Sequence, residues 1–181
     1  SFTYNGLSIN INVRIRNVAK EILLMKLRFL CANHRLELET NMDKALKFCQ
    51  TTFDTGQFYS DRSLWADAIP HLGCAFEVAE MLLTHSAIDK EVSCDWLTTS
   101  AQLLAQSFNG LDYVSDAEGI IWMAINRLEQ QLRQNPSHVL WMGRYLSSLY
   151  RELKSYIPMG DIVANGAASG IQSYDPMGLM H

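Results

Sequence analysis

Residues 56–83, GQFYSDRSLWADAIPHLGCAFEVAEMLL, read as a turn, a helix start and a long amphipathic helix. Trp65, Ile69, Leu72, Phe76, Ala79 and Leu83 recur at helical spacing and form one apolar stripe. Ser60, Asp61 and Ser63 are N-cap candidates, because their short oxygens can accept from free amides of a first turn. Pro70 lies inside the stripe and removes a backbone donor. The sequence therefore predicts either a kink near Ala66 or a helix that begins with Asp67 as its cap.

A weaker copy follows at residues 110–132, GLDYVSDAEGIIWMAINRLEQQL. Gly56 pairs with Gly110, Tyr59 with Tyr113, and Ser60-Asp61 with Ser115-Asp116. Trp65, Ala68, Ile69 and Leu72 pair with Trp122, Ala124, Ile125 and Leu128. One hairpin cannot bury its own stripe, so neighbouring hairpins must stack.

The other segments supply further helices. Residues 7–15 alternate as a strand would, yet Ile11, Ile15, Val18, Ile22, Met25 and Phe29 fit a helix. An extended lead-in to Asn12 and a helix to Asn33 is the favoured reading, with a strand as the alternative. A second helix is expected over residues 37–54, capped by Thr40 or Asn41 and closed by a turn at Gly56. A fourth is expected over residues 89–109. A fifth covers 115–135, with Ser115 and Glu118 as a capping box. Asn135-Pro136-Ser137 breaks the chain, and Ser137 can cap a sixth. Beyond Pro158 the chain turns Gly- and Ala-rich and loses periodicity.

The expected fold is thus all-α, with about six helices as stacked antiparallel hairpins in a short solenoid or bundle. An extended N-terminal lead-in and an irregular C-terminal tail flank it. Residues 1–157 form one helical domain, with hairpin-like repeats near 40–83 and 95–134. Residues 158–181 form a flexible or docked tail.

The helix with Trp65, Ala68-Ile69, Leu72-Gly73 and Ala75-Phe76, after Gly56 and Tyr59, resembles tetratricopeptide-like helical hairpins. Gly110, Tyr113, Trp122, Ala124, Ile125 and Leu128 carry the weaker resemblance. That family repeats every 34 residues and this chain about every 55, so the likeness is one of hairpin logic over residues 40–157 and not of membership. It implies a scaffold that grips peptides or helices on one surface.

The 181 residues are 48% hydrophobic and 19% charged, as in an ordinary globular chain. No apolar run reaches the roughly 20 residues that span a bilayer. Cys31, Cys49, Cys74 and Cys94 are scattered through helical patterns, which fits reduced thiols and a cytoplasmic protein. Gly-x-Ser-x-Gly, P-loop, Gly-x-Gly-x-x-Gly and Glu-x-x-His motifs are all missing, so the sequence offers no enzymatic signature. Cys31 with His34, and His71 with Cys74, each share a helix face, and could form a Cys2His2 metal site if the helices met. The competing reading is core cysteines and boundary histidines, and no cofactor is expected. Glu77 and Glu80 flank the stripe and are expected to face solvent.

The expected function is non-enzymatic. The partner is another protein or peptide, with Tyr59, Trp65, Tyr113 and Trp122 as candidate groove anchors. Nucleic acid is not expected, since the chain carries a net charge of -4. Residues 1–50 hold eight Lys and Arg against four Asp and Glu, while the remainder holds seven against fifteen. The basic part can dock on the acidic part of a second copy. A homodimer held this way weakens with salt. Light scattering at low and high ionic strength checks it, and a monomeric mass at low salt removes the expectation.

Overall fold

The computed structural model describes residues 28–156. The lead-in, the strand-or-helix question at residues 7–15 and the tail after Pro158 lie outside them. Among the described residues the chain is all helical. α1 is Ala32–Thr40, α2 Met42–Ser60, α3 Trp65–Thr84, α4 Lys90–Gly110 and α5 Val114–Gln134; a 3-10 turn at Pro136–His138 leads into α6, Val139–Tyr156. Each helix packs mainly on the next in the chain, and α4 also reaches α6. Short connections make neighbours antiparallel, which is the stacking the sequence predicts. One core runs through the array from Leu30 to Tyr156.

Several boundaries differ from expectation, each for a local reason. The helix expected to reach Asn33 is not helical at residues 28–31; Cys31 is extended, with φ -70° and ψ 158°, and α1 starts after it. Asn41 caps α2 by accepting from the Lys44 amide at 3.0 Å. Gly56 is not a turn residue. It lies buried within α2, where a Cβ would stand 2.5 Å from Leu72 Cγ. Its missing side chain lets α2 and α3 approach, which is a packing use of glycine and not a conformational one.

Neither α3 nor α5 has a side-chain N-cap. The turns before them are instead closed from the preceding helix. The Leu64 amide donates to the Tyr59 carbonyl at 3.0 Å, and the Ser63 amide to that of Ser60 at 2.9 Å. The second turn repeats this, with Tyr113 to Phe108 at 2.9 Å and Asp112 to Asn109 at 3.0 Å. These are Schellman closures, with Ser63 at φ 56° and Asp112 at φ 62° in the left-handed position that glycine usually fills. Ser115 and Glu118 accordingly form no capping box, and Glu118 accepts from Trp122 Nε1 at 3.2 Å. Asp89 does cap α4, accepting from the Glu91 and Val92 amides at 2.8 and 3.1 Å.

α3 is the centre of the array. It starts at Trp65 and runs through Pro70, so Asp67 is not its cap. Ala66, whose carbonyl loses its partner to the proline, is exposed, so water can reach it. From Leu72 to Leu83 only Cys74 and Glu80 are partly exposed. Lys90 closes the far end of α3, giving N–H groups to the Leu83 and His85 carbonyls at 2.6 and 2.9 Å.

Two helical glycines offer opposite tests of this packing. Gly56→Ala should push α2 from α3 and cost about 1–2 kcal/mol, because overpacking outweighs the gain in helix propensity. On α6, a methyl group added at Gly143 would meet nothing within 4 Å. Gly143→Ala should therefore stabilise by up to about 1 kcal/mol. Chemical denaturation of both variants checks the pair, and a stabilised Gly56→Ala protein would remove the close-approach reading.

Candidate functional site

The apolar run Ala75-Phe76-Glu77-Val78-Ala79 holds a single carboxylate. Glu77 is 5% exposed, which corrects the expectation that it faces solvent. A buried carboxylate needs donors. Here it accepts from the Phe29 amide at 2.6 Å, from the Leu30 amide at 3.4 Å and from Arg35 Nη2 at 3.1 Å. One helical turn earlier, Gly73 sits beneath the Phe29 ring; a Cβ there would lie 2.2–2.5 Å from three ring carbons. Cys74 Sγ donates to the Phe29 carbonyl at 3.7 Å. Gly73, Cys74 and Glu77 share one side of α3 because residues three and four apart are neighbours on a helix. That side holds residues 28–31 as a non-helical strap that bends at Leu30, with a glycine notch for the aromatic ring and a carboxylate for two consecutive amides.

The same burial sets the thiols. Burial pushes Cys74 up, and the neighbouring Glu77 carboxylate pushes it further. Cys49 and Cys94 are pushed up to about 12, chiefly by burial. All three remain protonated near neutral pH, so they pack or donate and do not act as thiolates.

The expected metal ligands do not converge. Cys31 Sγ lies 3.4 Å from His34 Nδ1, so that pair forms. His71 instead stacks on Tyr59 across α2 and α3, with ring centroids 5.6 Å apart, while Cys74 turns to the strap. Among the described residues no group of three or more His, Cys, Asp or Glu is arranged to hold a metal ion. The Cys2His2 reading fails because the second pair is consumed by packing.

The four aromatic candidates take separate places. Tyr59 is half-buried in the last turn of α2, and Trp65, half-buried at the start of α3, lies over Gly110 of α4. A Cβ on Gly110 would stand 2.6 Å from the Trp65 ring. Tyr113 is 55% exposed at the second turn. Trp122 sits well inside α5, with its ring edge-on to Tyr150 of α6 at 6.2 Å. Tyr59 closes the first turn through its carbonyl, whereas Tyr113 closes the second through its amide. Comparison with family models, curated proteins and solved structures finds no match to the chain.

Sequence reasoning does not read these residues as one site: Gly73 appears within the resemblance, Cys31 and Cys74 as metal ligands, Phe29 in a helical stripe and Glu77 as solvent-facing. The available signal is the lone Glu77 in an apolar run, four residues after Gly73. Glu77→Leu should release the strap. The Phe29 and Leu30 amides should then exchange with solvent at least about tenfold faster, and overall stability should fall by about 2 kcal/mol. Hydrogen exchange read residue by residue checks this; unchanged protection at both amides would remove the role given to Glu77.

Proposed function

We propose that the protein is a non-enzymatic interaction module that binds a partner peptide or helix on its stacked-hairpin surface. The observation that supports this reading is the strap itself. α3 holds a non-helical segment by two backbone amides and one aromatic ring, which is how a peptide is gripped without regard to most of its side chains. The carboxylate and the notch belong to α3 and stay in place whatever segment lies on them. A partner with an aromatic residue in a non-helical stretch suits the same site.

The half-exposed aromatics at the turns extend this surface. Tyr113, and Phe58 at 50% exposure beside Tyr59, present large apolar area at one end of the hairpins. Such rings are frequent anchors of protein interfaces. The stacking of helices in chain order keeps the tetratricopeptide-like comparison as a proposal about use, not ancestry. Four unpaired thiols fit a reducing, cytoplasmic setting. No helix among the described residues is long and apolar enough to cross a membrane.

Selection of peptides from a random display library tests the reading. Peptides that bind should carry an aromatic residue and should bind Phe29→Ser protein at least about tenfold more tightly than the native chain, since the competing ring is gone. Gly73→Leu, which fills the notch, should abolish binding while circular dichroism stays helical. Failure to select any peptide on either protein, or binding indifferent to Gly73, sinks the proposal.

A further inference from the structure

Away from the strap, the ends of three helices border a half-open cavity of about 440 Å³. It lies between the C-terminal ends of α3 and α5 and the first turn of α4. Leu83, 1% exposed, forms an apolar part of its wall. The polar lining includes Lys90, Arg127, Gln130, Gln131, Gln134 and Asn135. Among the described residues no Asp or Glu lines it. Its volume is in the range of small-molecule sites.

The hydrogen bonds already made decide which donors are free. Lys90 spends two of its three N–H groups on the Leu83 and His85 carbonyls. This offsets the negative end of α3, which faces the same region. Arg127 spends only Nε, on Glu80 Oε1 at 2.7 Å; its two terminal nitrogens make no hydrogen bond among the described residues. The ion pair also fixes the guanidinium in place between α3 and α5. Gln131 lines the cavity, and its side-chain amide makes no hydrogen bond among the described residues, so it is free to donate to a ligand there.

We infer that this cavity is a binding site for a carboxylate, gripped by the terminal nitrogens of Arg127 with Gln131 and the remaining Lys90 N–H as further donors. The terminal nitrogens that Arg127 keeps beyond its pair with Glu80, the remaining Lys90 N–H, several amides and the lack of a lining acid among the described residues suit an anion. The planar fork of an arginine matches a carboxylate in two parallel hydrogen bonds. The carboxylate can belong to a small free acid or to the C-terminus of a peptide. This inference stands apart from the strap site, and shares no residue with it.

Titration of the isotope-labelled full chain with succinate, and separately with a tetrapeptide bearing a free or an amidated C-terminus, tests it by nuclear magnetic resonance. Saturable shifts at the Gln131 side-chain amide and at Lys90 are expected with succinate, with the free-acid peptide, or with both. The pattern tells which source fits. Arg127→Gln should weaken binding at least about tenfold. Gln134→Glu places a negative charge at the exposed rim, and should weaken it similarly without touching the Arg127–Glu80 pair. Shifts that fail to saturate below roughly 50 mM with either probe, or that sodium chloride reproduces at equal ionic strength, overturn the inference. So does equal binding by native protein and Gln134→Glu protein.

Discussion

α3 is buried around nearly its whole circumference, and every neighbouring element answers to that. Residues 75–79 are all buried in sequence, which a helix on the edge of a bundle cannot achieve. α2 covers one side through the Gly56–Leu72 approach, and α4 covers another. The remaining side is covered by residues 28–31, and there Glu77 is the carboxylate that meets them. Burying a carboxylate is costly unless donors surround it. Two backbone amides and Arg35 provide them, so the strap is required by α3 as much as α3 is required by the strap.

The fold class was legible because the apolar stripes at helical spacing on α3, α4 and α5 are the residues that form the core. Leu72, Phe76, Ala79 and Leu83 on α3, Leu97, Ala101, Leu104 and Phe108 on α4, and Ile121, Ile125 and Leu128 on α5 are buried where their stripes place them. The break at Asn135-Pro136 was legible too, since the residue before a proline is pushed out of the helical region. The turns were less so. Capping rules favour Ser60, Ser63 and Ser115 as acceptors for free amides. The chain instead closes the preceding helix backwards, with Ser63 and Asp112 in a conformation where glycine is the usual signal. Gly56 and Gly110, which look like turn formers, are used for space against Leu72 and Trp65.

The candidate sites were harder to see for a different reason. Periodicity sorts residues by type, so a glutamate beside an apolar stripe is assigned to solvent. Only the three-dimensional placement of Phe29 and Leu30 shows that Glu77 has donors waiting. Residue type also brought Cys31, His34, His71 and Cys74 together, although spacing along one helix does not decide which neighbour each side chain meets. The cavity near Gln131 has no sequence signature at all. It arises where three helix ends fail to fill the space between them.

The strap also ties together distant parts of the chain. Phe29 and Leu30 meet a carboxylate 48 and 47 residues further along the chain. Contacts of such separation cost more to close than contacts within one hairpin. The hairpin of α2 and α3, joined by a four-residue turn, can form first from local contacts. Wherever the strap is not laid across α3, the notch at Gly73 that holds the Phe29 ring is open to another segment.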